Sequence, residues 1–149
     1  MKRLISHITL AVLAVFVLGS CSKNNGDIGY WFGLWHLDSI EVNGEVDNNY
    51  DGNYYFLFQG KVFCLRYVYE GNHENIDAFA EWKESDDKKY VTINFIDDRY
   101  SPNFGGDAPN NYLSTMNTLK VDTLTSSTMV LSHTLDDGTT VTYRLTLWE

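Results

Sequence analysis

From about residue 33 onward, apolar and polar side chains alternate with a period of two rather than 3.6. In the clearest stretch, Thr140 to Leu147, the residues Val141, Tyr143, Leu145 and Leu147 share one face, and Thr140, Thr142, Arg144 and Thr146 share the other. Val91, Ile93 and Phe95 alternate in the same way with Thr92 and Asn94, and Phe63, Leu65, Tyr67 and Tyr69 with Val62, Cys64, Arg66 and Val68. Turn-forming residues separate these runs: Gln59-Gly60, Glu70-Gly71-Asn72, Asp86-Asp87-Lys88 and Asp137-Gly138, the last a type I′ signal. The pattern predicts eight strands, near 33–43, 53–59, 61–70, 77–84, 89–97, 115–124, 128–135 and 139–148. The fourth also fits a short helix through Ile76, Phe79 and Ala80. The first changes parity, with Trp35 and Leu37 on one face before Ile40 and Val42 take over, which predicts a bulge near Asp38-Ser39. No segment has a long amphipathic helical period.

Sequential strands joined by short turns favour an up-and-down antiparallel sheet. Closing that sheet pairs the N–H and C=O groups that two free edges would expose, so a single eight-stranded antiparallel barrel is the expected all-β fold. Two other all-β folds fit less well. The Cys…Trp…Cys framework of an immunoglobulin-type sandwich is absent. A transmembrane barrel accords with the terminal Trp148-Glu149, but each clear strand carries a polar face that a barrel this small cannot turn into a wet pore.

Ahead of the strands stands "MKRLISHITLAVLAVFVLGSCSK". Lys2 and Arg3 precede a short apolar run, Ile8 to Leu18, with small residues after it; this reads as a secretory signal rather than a membrane span. Leu18-Gly19-Ser20-Cys21 resembles the lipobox of bacterial lipoproteins. The resemblance implies that Cys21 is acylated on sulfur, becomes the first residue after cleavage, and is then N-acylated with a palmitate-type chain. Ser22, where an aspartate would retain a lipoprotein at the inner membrane, resembles an outer-membrane signal. The expected organisation is a signal peptide over 1–20, a polar tether over 21–29 and one barrel domain over 30–149. Whether the periplasmic or the surface face of the membrane is used stays open.

Two of the 11 basic residues lie in the leader and all 20 acidic residues lie beyond it, so the chain from Cys21 has nine basic residues and a formal net charge of −11. That balance disfavours nucleic acid and anionic headgroups as partners. With Cys21 acylated, Cys64 is the only remaining cysteine, so no disulfide forms within the chain. Its place in an alternating strand suits a small buried side chain.

Gly33-Leu34-Trp35 is a Gly-x-Trp at the start of the first strand. Together with "GLWHLDSIEVNG" and the closing "VDTLTSSTMVLSHTLDDGTTVTYRLTLWE", it resembles the lipocalin-like domains of small lipoproteins common in Bacteroidota, over about residues 30 to 149. The resemblance implies that Trp35 closes one end of the barrel, with Arg144 of the last strand lying across its indole. Arg144 shares the outward face of its strand, no helix follows, and a Thr-Asp-Tyr motif is missing; these are departures from the family pattern.

Asp47, Asn49, Asp51 and Gly52 occupy positions one, three, five and six of a calcium-loop pattern. Position twelve is Phe58 instead of a bidentate carboxylate, and a strand follows where a helix is required, so these residues define at most a millimolar calcium site. His36, His73 and His133 share no ligand spacing, and no nucleophile or phosphate-loop motif is present, so neither an enzyme nor a cofactor is implied. The longest connection, Asp97 to Tyr112, holds both prolines and the aromatics Tyr100 and Phe104; it suits a lid or a partner-binding loop. Phe56, Phe58, Phe63, Leu65, Tyr67, Trp82, Phe95, Tyr143 and Leu145 are expected to face inward. They either line a cavity for a small apolar or amphipathic ligand or fill the interior, leaving an accessory subunit of an envelope complex. Parity alone does not separate the two.

Overall fold

The structure is a computed structural model and describes residues 28–71, 74–96 and 112–148. Cys21, the leader and most of the tether, His73, and the connection from Asp97 to residue 111 with Tyr100 and Phe104 lie outside the described residues.

Among the described residues, a single turn of 3-10 helix, Gly29–Trp31, leads into nine strands. These are β1 (Gly33–Val42), β2 (Glu45–Val46), β3 (Tyr54–Gln59), β4 (Val62–Val68), β5 (Asn75–Glu84), β6 (Tyr90–Phe95), β7 (Met116–Leu124), β8 (Thr128–Thr134) and β9 (Thr140–Leu147). From β3 to β9 each strand pairs antiparallel with its successor, and β9 pairs back onto β1, which closes an eight-stranded barrel. The ninth, β2, is a two-residue arm folded back on β1 through Asn43-Gly44, whose φ values of 52° and 86° are those of a type I′ turn. It takes the part of β1 that β3 does not reach, because β3 pairs only from Gly33 to His36.

The expected parity change in β1 is present. Trp35 pairs with Leu147 and Leu37 with Leu145, the register then skips Asp38, and Ser39 and Ile40 pair with Arg144 and Tyr143. The extra residue returns Ile40 to the inside after Leu37, and both are fully buried. A second bulge lies between Val121 and Thr123, where β7 meets β8. In β5 the strand prevails over the short helix: Ala78 and Ala80 face inward and Phe79 faces out, 49% exposed. The Asp137-Gly138 hairpin is not the expected type I′ turn. Only Gly138 has a positive φ, 88°, and three residues separate Leu135 from Thr139, with Asp137 accepting from the Thr139 N–H.

The inner residues of all eight barrel strands form one continuous core. Size is matched across strands: Phe63 stands opposite Ala80, and Leu65 opposite Ala78. A closed sheet has limited internal width, so large rings on β3 and β4 need small neighbours on β5. Phe63→Ala should therefore cost ~3–5 kcal/mol by cavity formation, whereas Phe79→Ala on the outer face should change stability by less than ~0.5 kcal/mol. Urea unfolding of the two variants, read by tryptophan fluorescence, checks the inside–outside assignment.

Candidate functional site

Eight of the nine side chains expected to line the interior are buried there. Phe56, Phe58, Phe63, Leu65 and Tyr143 have no exposure, and Phe95, Leu145 and Tyr67 are almost as deep. They meet ring to ring: Phe56 to Phe63 at 5.3 Å, Phe58 to Phe63 at 5.0 Å, Phe63 to Phe95 at 6.0 Å and Phe56 to Tyr143 at 5.8 Å. These are contact distances for aromatic pairs, so the rings pack against one another rather than standing around an empty calyx. The ninth, Trp82, is only part-buried and sits at one end.

That end holds the β3–β4, β5–β6 and β7–β8 turns and is closed by the 3-10 helix. Trp35 is fully buried, and its Nε1 donates to the Trp31 carbonyl at 3.1 Å. Arg144 does not lie across it. Strand parity sends Arg144 to the outer surface, where its guanidinium makes two hydrogen bonds to Glu41 on β1. The Trp31 ring packs 4.9 Å from Phe58 and 5.3 Å from Trp82, while its Nε1 donates to Glu84 at 2.9 Å. Trp31 was not among the expected site residues. Its signal was an aromatic pair, Tyr30-Trp31, at the end of an otherwise polar tether.

A concavity of about 830 Å³ opens at this closed end. Its apolar wall comes from Ile28, Tyr30, Trp31, Trp82, Val121 and Leu124, and Lys83, Lys88, Glu84 and Asp122 bring charge. Glu84 accepts from Trp31, and Asp122 accepts from Lys120 and Ser132. Trp82 Nε1 is buried and, among the described residues, is the side-chain polar atom left without a hydrogen-bond partner. A buried donor in that state costs ~1–3 kcal/mol relative to a satisfied one.

The opposite end, the mouth, is plugged by tyrosines. Tyr54 and Tyr67 are 4.9 Å apart, as are Tyr67 and Tyr69, and Tyr50 stacks on Tyr54 at 6.2 Å. The segment 47–53 straps across this layer. The Tyr50 hydroxyl donates to the Leu37 carbonyl, Tyr67 donates to Asp51 at 2.8 Å, and Tyr112 donates to Asp47 at 2.6 Å. The calcium candidates are thus otherwise engaged. Asp47 also accepts from the Asn49 backbone and side chain, and Asp51 accepts from the Asn53 N–H. Among the described residues no group of three or more His, Cys, Asp or Glu side chains is placed to hold a metal.

Other titratable groups are built into the walls. His133 Nε2 and the Tyr143 hydroxyl share a hydrogen bond at 3.0 Å, and burial depresses the imidazole below its ordinary range. Burial also pushes the Cys64 thiol up to about 12, which keeps it protonated and unreactive. His36 lies outside the barrel, held by Asp38 at 2.7 Å and the Gly52 carbonyl at 2.8 Å.

The strap gives a pH-dependent test. The Tyr112 hydrogen bond is the main cause that lowers the Asp47 carboxyl below its ordinary 3.8, and Asp47 in turn raises Tyr112 to about 12. A depressed carboxyl adds stability that is complete above its unfolded value and is lost as pH falls through the lower folded one. Asp47→Asn should remove that acid-limb loss from the urea midpoint below about pH 4. It should also bring the ionisation of Tyr112 down toward 10, seen by ¹³Cζ-tyrosine NMR.

No protein-family model matches the chain, and no curated protein does. Among solved structures, a lipocalin-like protein from Bacteroides uniformis is similar at a TM-score of 0.59 and 18% identity, over 78% of this chain and 98% of that one. A bovine odorant-binding protein in complex with a selenium-containing odorant is similar at a TM-score of 0.45 and 12% identity, over 87% of this chain and 76% of that one. Insecticyanin from the tobacco hornworm Manduca sexta is similar at 0.48 and 9%, over 83% and 64%. At such identities the likeness concerns the fold alone, and that fold is the lipocalin-like closed barrel of eight antiparallel strands.

Proposed function

We propose that this protein is a non-catalytic lipoprotein of the cell envelope, anchored in the outer membrane through acyl chains on Cys21, and that its barrel binds a small amphipathic ligand at the closed end. The observation that carries the binding half is the contrast between the two spaces. The interior is packed ring to ring, and the open volume of about 830 Å³ lies between the 3-10 helix and the turns. Ligand sites of roughly 300–1,000 Å³ with aromatic walls and a few polar groups are the common kind. The leader and lipobox support the anchor. Each buried methylene of an acyl chain contributes ~0.8 kcal/mol, so several chains together hold a protein on a bilayer. Seven residue steps separate Cys21 from Ile28 on the rim of the concavity. At ~3.5 Å per step that is a reach of about 25 Å, which keeps the closed end near the lipid.

A second reading is favoured by one of the same observations. A barrel filled with rings is also what an accessory subunit without a ligand needs, and such a subunit would recruit its envelope partner through the 97–112 connection. Deleting Pro102 to Pro109 should abolish partner recovery under this reading, and unchanged pull-down would remove it.

Two measurements test the main proposal. Metabolic labelling with an alkynyl palmitate analogue should mark the wild-type chain and not Cys21→Ala. Native mass spectrometry of protein released gently from its own membrane should show a mass beyond the acylated chain, and Leu124→Trp, which fills the concavity, should lose it. Recovery of the acylated mass alone from the wild type counts against a ligand.

A further inference from the structure

Exposed apolar side chains are not spread evenly over the barrel. Among the described residues, Tyr30, Phe32, Val62, Tyr90, Leu147 and Trp148 are large, apolar and exposed, and all belong to the closed end. Tyr30 and Phe32 flank Trp31, Val62 opens β4, Tyr90 opens β6, and Leu147 and Trp148 stand at the finish of β9. The helix and these strands occupy different places around the cylinder, so the side chains form a girdle on its rim instead of a patch on one wall. Tyr30 is 60% exposed and Trp148 59%. Of the exposed aromatics among the described residues, Phe79 alone lies elsewhere, halfway along β5. The mouth exposes the aliphatic side chains Val46, Ile96 and Met116. Single exposed apolar residues need no explanation, but a rim of Trp, Tyr and Phe is the composition found where proteins meet the headgroup level of a bilayer.

Charge divides along the same axis. The lysines among the described residues, Lys61, Lys83, Lys88, Lys89 and Lys120, are all exposed in the closed-end half, with Lys120 paired to Tyr90 across β6 and β7. They stand against Glu81, Glu84, Asp86, Asp87 and Asp122, so this end is close to neutral. The described arginines, by contrast, are already engaged, Arg66 by Asp77 and Arg144 by Glu41. Glu45, Asp47, Asp51, Glu70, Asp136 and Asp137 leave the mouth strongly negative. The acidity that disfavours anionic headgroups for the chain as a whole therefore belongs to the mouth, and a negative bilayer surface repels that end without repelling the other.

We propose that the closed end is a bilayer-docking face: the barrel stands on the membrane with Tyr30, Phe32 and Trp148 at headgroup level, the lysines among the lipid phosphates and the acidic mouth pointing away. The inference rests on the preceding reading that Cys21 is acylated, and is independent of any ligand in the concavity. The path of the chain agrees with it, because Ile28, seven residue steps from Cys21, lies on the rim of the same end. The anchor alone would let the domain swing on its tether, whereas the girdle and the charge polarity fix which end faces the lipid.

The test places one nitroxide label at a time on the acylated full chain in phosphatidylcholine vesicles at high lipid-to-protein ratio. Cys64 is buried, so the label goes to an introduced thiol: Val62→Cys or Tyr90→Cys at the closed end, Glu45→Cys or Asp136→Cys at the mouth. Collision of the label with oxygen, which concentrates in lipid, is compared with collision with a water-soluble nickel chelate. The ratio of oxygen to nickel access should be at least about tenfold higher at 62 and 90 than at 45 and 136, as for side chains sunk to the headgroup and acyl boundary. Tyr30→Ser, Phe32→Ser and Trp148→Ser together should bring the ratio at 62 down to the mouth value, with acylation and far-ultraviolet circular dichroism unchanged. Equal ratios at the two ends of an acylated, vesicle-bound chain overturn the docking face and leave the anchor intact, as does a ratio at 62 that the triple variant leaves unchanged. Loss of access to both reagents at 62 and 90 means that protein, such as a second copy of the chain, covers this end, and also overturns the proposal. A chain that carries no acyl group and does not float with vesicles removes the anchor and the docking face together.

Discussion

Pairing of the first strand with the last is the interaction on which the rest depends. From Trp35 to Val42, β1 lies against β9, and the Trp148 N–H extends the contact to the Leu34 carbonyl. Without that seam β1 and β9 would be open edges, and their backbone groups would have to find water or another chain. With it, the twist of eight strands is taken up in a closed surface with only one inside. The bulge at Asp38 is what lets β1 serve both ends of that surface. Trp35 and Leu37 point inward near the closed end, and Ile40 does so near the mouth, in a strand whose simple alternation would have turned Ile40 to solvent.

Closure also limits what the interior can hold. An eight-stranded cylinder is barely wider than the side chains that project into it. This chain puts Phe56, Phe58, Phe63, Phe95 and Tyr143 there, and the space is taken up by ring contacts. Open volume is then found at the closed end, where strands stop and turns diverge. At the mouth, tyrosines and two aspartates tie the 47–53 strap down through phenol-to-carboxylate bonds. At the closed end, the Trp31 carbonyl on the 3-10 helix accepts from the Trp35 indole, and the Trp31 ring packs on Trp82 beside a walled recess. A filled barrel and a binding protein are compatible once the recess and the core are different places.

Much of this was legible before any coordinates. The strand pattern and the bulge follow from period-two alternation, because a side chain's face depends only on its count along a strand, and closure follows from the free edges that consecutive strands would otherwise expose. The inward set was legible for the same reason. The type of the β8–β9 turn and the β2 arm do not follow from that alternation. The Asn43-Gly44 pair that makes the arm is a standard hairpin signal masked by the calcium-like residues that follow it, and Asp137-Gly138 was assigned a two-residue turn where a three-residue loop fits the register. Arg144 shows how a family expectation yields to parity. A residue on the outer face of β9 cannot reach an indole inside, and Glu41, on the same outer face of the neighbouring strand, takes it instead.

What the sequence determined by itself is periodic and local: which faces are apolar, where the chain turns, and that the strands are short and consecutive. Whether the inward rings meet or leave a void, what accepts from the Trp35 indole, which carboxylates are already engaged by phenols, and where a buried N–H is left without an acceptor were decided only in three dimensions. Each is a relation between residues distant along the chain, such as Trp31 with Glu84, Asp47 with Tyr112, or Trp82 with Leu124. Periodicity assigns a side chain to a face, but the distance across a closed sheet depends on twist, bulges and the sizes of all the neighbours together.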